Sequence, residues 1–132
     1  MPVSVSNAAD TSSAPQVSVT PDTKPDTLEI EDLVVGNGQV AEAHHTVEVH
    51  YTGVHVDNGK EFDSSWGRGG RPTQFPLNGV VAGFRDGIAG MKEGGRRVLV
   101  VPPDMGYGRR GAPPAIKPNE HLIFVVDLIR VL

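Results

Sequence analysis

Side chains able to do covalent or metal chemistry are sparse in this sequence. It contains no cysteine, so disulfides and thiol chemistry are excluded. Its five histidines are His44, His45, His50, His55 and His121. No two stand at the H-x-x-x-H spacing that puts a pair of imidazoles on one helix face. They read as surface histidines, His50 hydrogen-bonding within a sheet, and neither a metal nor any other cofactor is expected. Gly67-Arg68-Gly69-Gly70 lacks the Lys-Ser/Thr that completes a phosphate loop. No order of Ser, His and Asp argues for hydrolysis.

The informative residues are the seven aromatics: Tyr51, Phe62, Trp66, Phe75, Phe84, Tyr107 and Phe124. Spacing alone reads them as filling the interior of a small domain, the ordinary use of aromatics. That leaves unexplained why glycine and proline crowd around them. On local grounds Asp63 fits a turn bonded to backbone, and Tyr107 a loop tyrosine with its hydroxyl in water.

The elements that must position these residues follow from periodicity. Leu28 to Val35 reads as a strand closed by Gly36-Asn37-Gly38. Thr46 to Thr52 alternates strictly, with Val47, Val49 and Tyr51 on one face and Glu48, His50 and Thr52 on the other. Asp57-Asn58-Gly59 forms a hairpin turn that returns the chain through Lys60 to Phe62. Thr73, Phe75 and Leu77 alternate in a short strand. Val80 or Val81, Phe84, Ile88 and Met91 make the one helical stripe. Gly83, Gly87 and Gly90 hold it to about two to three turns. Arg96 to Val101 is a strand stopped by Pro102-Pro103. A Gly/Pro-rich flap runs to Pro118, and His121 to Leu132 is the last strand. The fold class is α+β: an antiparallel, strongly twisted sheet of about five or six strands wrapped over one short helix.

Residues 1–26 differ in texture. They contain no Leu, Ile, Phe, Tyr or Trp, and Pro2, Pro15, Pro21 and Pro25 stand among Ser, Thr, Ala and Val. Such a stretch buries too little apolar surface to offset its ordering entropy, so it reads as a disordered tail before a domain at 27–132. The net charge of −4 argues against nucleic acid as the main partner. Arg96-Arg97 and Arg109-Arg110 read as solvated positions. No stretch resembles an export signal or reaches membrane-spanning length, so no membrane association and a cytoplasmic location are expected.

Several strings resemble one family in order and nearly in spacing. Val49-His50-Tyr51-Thr52-Gly53 followed by Gly59-Lys-Glu-Phe62-Asp63-Ser64-Ser65 resembles the hairpin and bulge of the FKBP-type prolyl isomerases. Gly83-Phe84-Arg-Asp-Gly87-Ile-Ala-Gly-Met91-Lys-Glu-Gly94 resembles their helix, Pro103-Asp-Met-Gly-Tyr107-Gly108 their flap, and Leu122-Ile-Phe124-Val-Val126-Asp-Leu128 their terminal strand. Phe62-Asp-Ser-Ser-Trp66 and Met91-Lys-Glu-Gly-Gly-Arg-Arg97 resemble bacterial members, actinobacterial ones in particular.

The resemblance implies catalysis of rotation about the peptide bond before proline, with assistance to protein folding. Unassisted, that rotation faces a barrier of about 18–20 kcal/mol. Reaching the millisecond range takes ~7 kcal/mol off it. The twisted amide loses resonance and much of its dipole, so a water-poor pocket favours it over the planar form. Carried over, the pocket is Tyr51, Phe62, Asp63, Phe75, Val80, Val81, Phe84, Tyr107, Ile116 and Phe124. Phe84 is then the floor under the proline ring, and Tyr51, Phe62 and Phe124 are walls. The Val81 N–H and the Tyr107 hydroxyl hold substrate carbonyls, and Asp63 is the polar rim group.

The partners implied are X-Pro polypeptides and macrolides such as tacrolimus or rapamycin, met by a monomer. Departures from the family pattern bear on the macrolides. Thr73 stands where many members carry a second phenylalanine, Phe84 replaces a common tryptophan, and Ala112 and Ala115 occupy flap positions that usually hold larger side chains. Trp66 is an extra aromatic, expected at the margin of the site or packed on the surface. The flap is too short for the chaperone lobe some bacterial relatives insert near it. Two other functions stay open: a binding module that holds a proline-containing partner or a macrolide with little turnover, and an adaptor acting through the tail.

Overall fold

The structure, a computed structural model, describes residues 3–19, 24–67 and 69–132. Met1, Pro2, residues 20–23 and Arg68, and whatever was expected of them, lie outside the described residues.

The centre of the main sheet is β4 (Thr46–His55). It runs antiparallel to β8 (Leu122–Val131) from Val47↔Val131 to His55↔Leu122. Next to β8 lies β7 (Arg96–Val101), and at the far edge β3 (Glu29–Val34). Two short strands share the other edge of β4. β6 (Thr73–Pro76) pairs its beginning and β5 (Glu61–Ser64) its end. The result is a six-stranded antiparallel sheet carrying one helix, as the α+β expectation has it. Strand boundaries shift by a residue or a few; β4 extends to His55 because β8 pairs it that far.

Helix α1 (Ala82–Ile88) is two turns long, within the expected two to three, and ends before Met91. Gly90 reverses the chain at φ +93°, so Met91 enters the core from a turn and is 2% exposed. Arg97 covers the frayed end, donating from Nη1 to Gly87 O at 2.9 Å and, weakly, to Ala89 O at 3.4 Å. The helical glycines do more than weaken the helix. A Cβ on Gly83 would sit 2.6 Å from Val101, and one on Gly87 2.6 Å from Leu99. Their absence of side chains lets α1 lie directly on β7.

The segment expected to be a disordered tail differs most from the sequence reading. Strands β1 (Val3–Val5) and β2 (Val17–Val19) pair antiparallel, Val5 opposite Val17. Asn7 closes the turn, donating from Nδ2 to Ala14 O at 2.7 Å and accepting from Gln16 N at 2.8 Å. Val5, Val17 and Val19 pack against Val54, Val56, Val98, Val100, Ile123 and Val125 on the face of the sheet away from the helix. The segment has no core of its own, and the sheet supplies one. Pro15 lies in the turn, where its missing N–H costs no ladder bond.

Candidate functional site

On the helix side of the sheet, large side chains converge without closing the space between them. Phe84, from the first turn of α1, lies 4.5 Å from Phe124 of β8 at an interplanar angle of 79°. Tyr51 of β4 meets Phe84 edge-on at 5.8 Å, and Phe75 of β6 approaches it from another side at 5.7 Å. Phe62 of β5 stands edge-on to Phe124 at 5.7 Å. Such edge-to-face pairs fix ring directions but do not interdigitate as aliphatic chains do. A pocket of about 340 Å³ remains open to solvent among them.

Nine of the ten expected site residues line that pocket: Tyr51, Phe62, Asp63, Phe75, Val80, Val81, Phe84, Tyr107 and Phe124. Ile116 does not. It bridges to Ala112 across the flap and is buried in the core at 4% exposure, because that pairing turns it inward. Thr73 and Gly79 join the lining. Thr73 drew notice only as a departure from a family pattern, and Gly79 has no side chain by which a sequence could flag it. Trp66 is elsewhere, stacked on His50 at 3.9 Å and 16°; the register of β4 turns His50 to the outer face and Trp66 follows it.

Local geometry explains how the rings reach their places. A Cβ on Gly53 would meet Phe62 at 2.7 Å and Phe124 at 2.9 Å, so both rings pass over β4 where it has no side chain. The gap between β6 and β5 along the edge of β4 is closed by Ser65. Its Oγ accepts from the Tyr51 N–H at 2.8 Å and contacts His50 Nδ1 at 2.8 Å, and its own N–H donates to Tyr51 O at 3.0 Å. Sequence gave no signal for this serine.

The polar equipment of the pocket is small. The Tyr51 hydroxyl donates to Asp63 Oδ2 at 2.5 Å, which fixes the direction of the phenol. At the helix entrance the Val81 carbonyl accepts from Phe84 N and Arg85 N, while its own N–H has no acceptor among the described residues. Tyr107 is 39% exposed at the flap side. Nothing here is placed for nucleophilic attack. It is an apolar cleft with a few oriented polar groups, suited to a ligand with an apolar ring flanked by carbonyls.

A possible metal cluster lies outside the pocket. Ligand atoms of Glu42, His44 and His45 fall within 4.8 Å of one another. His45 Nδ1, however, accepts from Glu42 N at 2.9 Å. The proton of the neutral ring then sits on Nε2 and no lone pair is left, so the trio reads as a turn motif.

Fold and pocket together describe a single sheet-and-helix domain with an apolar, solvent-open cleft. The sequence profile of the FKBP-type peptidyl-prolyl cis-trans isomerases matches residues 37–129. The chain belongs to this family, and its activity is the isomerisation of peptidyl-prolyl bonds. It is similar to a probable FK506-binding protein of Corynebacterium glutamicum, 47% identical over 115 residues that span 87% of this chain and 96% of that one. It is 48% identical over 120 residues to the FK506-binding protein of Streptomyces anulatus, spanning 89% of this chain and 96% of that one. The crystal structure of FkpA from Escherichia coli superposes with a TM-score of 0.73 at 41% identity, covering 79% of this chain and 47% of FkpA.

Proposed function

We propose that rotation about the X-Pro bond takes place in the pocket floored by Phe84, with Tyr51, Phe62, Phe75 and Phe124 as its walls. One observation carries this: five aromatic rings enclose an open cleft whose few polar groups sit at its edge. Substrate proline rests on Phe84 and its ring is shed of water. The twisted amide, having lost much of its dipole, is stabilised there relative to the planar one. The Val81 N–H and the Tyr107 hydroxyl hold neighbouring carbonyls so that the rotation occurs in place. Asp63, fixed by Tyr51, faces the twisting amide as its polar neighbour.

Prolyl segments of folding clients are the substrates in this reading. Macrolides such as tacrolimus and rapamycin, which fill the same walls, bind more weakly because Thr73 and Phe84 leave the walls smaller. The reading also has the chain working as a monomer in the cytoplasm. Its acidic balance is compatible with that, and no helix among the described residues is long and apolar enough to cross a membrane.

The test is cis/trans exchange of a short X-Pro peptide by magnetisation-transfer NMR, on wild type and on Tyr51→Ala and Phe84→Ala. Acceleration by wild type that is lost in the folded variants supports the pocket. Peptide-induced shifts without acceleration would favour a binding module instead.

A further inference from the structure

One buried ionisable pair has no part in this mechanism. Glu120, at the end of the flap, has a side chain only 2% exposed, and its Oε1 pairs with Nδ1 of His55, itself 15% exposed at the end of β4. The other carboxylate oxygen accepts from the Lys117 N–H at 2.8 Å. Among the described residues His55 is the side chain that pairs with Glu120. A carboxylate withdrawn this far from water is costly unless its lone pairs are satisfied, so the pairing holds both groups in one geometry.

That geometry touches the pocket from two sides. The His55 ring lies 5.0 Å from the ring of Phe62. His55 also anchors the turn into β5, its N–H donating to Lys60 O and its carbonyl accepting from Gly59 N. On the flap side, Asn119, next to Glu120, donates its N–H to Gly108 O at 2.9 Å. Gly108 adjoins Tyr107 on the pocket rim. The pair therefore lies between the supports of two lining residues that come from distant parts of the chain.

We propose that His55 and Glu120 are positioning residues that latch the flap to the β4–β5 corner, setting the separation of Tyr107 from Phe62 and so the affinity for X-Pro peptides. The inference rests on the pocket being the substrate site. Holding a wall and a rim acts alike on bound substrate and transition state, so the latch governs KM more than kcat.

The variants are His55→Leu, Glu120→Ala, their double, and Glu120→Gln, which keeps hydrogen-bonding atoms in place. Each is checked for folding by its thermal transition. For His55→Leu and Glu120→Ala, KM for an X-Pro peptide should rise about fivefold with little change in kcat. The double variant should be no worse than the more affected single, since both remove one interaction. Glu120→Gln should retain most of the wild-type KM. Amide order parameters across residues 108–119 should fall in the two alanine- and leucine-bearing variants and recover in Glu120→Gln. Wild-type KM in folded His55→Leu or Glu120→Ala would overturn the proposal. So would a raised KM with unchanged flap order, which would point to lost charge alone. If wild type itself accelerates no exchange, the pocket reading fails; peptide affinity from shift titration then replaces KM and still tests the latch.

Discussion

The two faces of the main sheet solve packing in opposite ways. On the helix side, Tyr51, Phe84, Phe62 and Phe124 meet edge to face, Phe75 lies tilted against Phe84, and an open cleft remains. On the other side Val54, Val56, Val98, Val100, Ile123 and Val125 present only β-branched chains. They lie flat on the pleat, and the hairpin β1–β2 covers them. The outer face also holds an ion pair. Arg96, fully buried, donates to both oxygens of Asp127 at 2.7 and 3.0 Å. Its remaining donors reach Asn7 O at 3.0 Å and Ser13 O at 2.7 Å in the hairpin turn. Bulky planar side chains around a glycine-bearing helix make a cavity. Small branched side chains under a short hairpin make a seal. The proposed binding site lies on the face that packs incompletely.

Substitutions sharpen this contrast by separating stability from turnover. Phe84→Ala should cost about 3–5 kcal/mol in urea unfolding and abolish acceleration of X-Pro exchange, because it empties both core and floor. Arg96→Met, on the opposite face, should cost a similar 3–5 kcal/mol by leaving Asp127 buried without its partner. Its folded fraction should turn over at the wild-type rate; a loss of turnover there would mean that the faces are coupled. Deleting residues 1–19 should cost about 2 kcal/mol, the burial of a few valines less the entropy regained, again with turnover kept. Tyr51→Phe removes the bond to Asp63 and should cost about 1 kcal/mol, with exchange slowed several-fold.

The smallest effect concerns His50, on the outer side of β4. Burial holds its pKa below the ordinary histidine value, opposed by the nearby Asp127 and Glu48 carboxylates and by a hydrogen bond with the Gly70 backbone. The unfolded chain therefore takes up a proton near pH 6.5 while the folded chain does not. Stability from this group is present above about pH 6.5 and declines as pH falls toward the lowered folded value. Urea midpoints at pH 7.5 and 5.5 should differ more for wild type than for His50→Gln. Equal differences would show that His50 is not held neutral by burial.

The strands of the main sheet were legible because local signals mark them: alternation at Val47, Val49 and Tyr51, the Asp57-Asn58-Gly59 turn, and the stop at Pro102-Pro103. The aromatic residues that line the cleft could be listed from type and order, though family resemblance and not periodicity assigned them to a pocket. Ile116 was misplaced because its direction depends on pairing with Ala112 inside the flap. Ser65 went unflagged because a gap in strand pairing, invisible locally, decides what fills the edge of β4; of the two places open to Trp66, the stacking on His50 matches packing on the surface.

By itself the sequence determined which segments of the main sheet are extended, which is helical, and where the chain turns between them. These are local properties, set by side-chain period, branching and backbone restriction within a few residues. Only the tertiary structure decided that residues 3–19 are ordered, that Gly83 and Gly87 admit the helix to β7, and that Glu120 meets His55. Each depends on a surface contributed by residues far away along the chain. The N-terminal valines lack enough neighbours to fold on their own and acquire them only from the outer face of the assembled sheet.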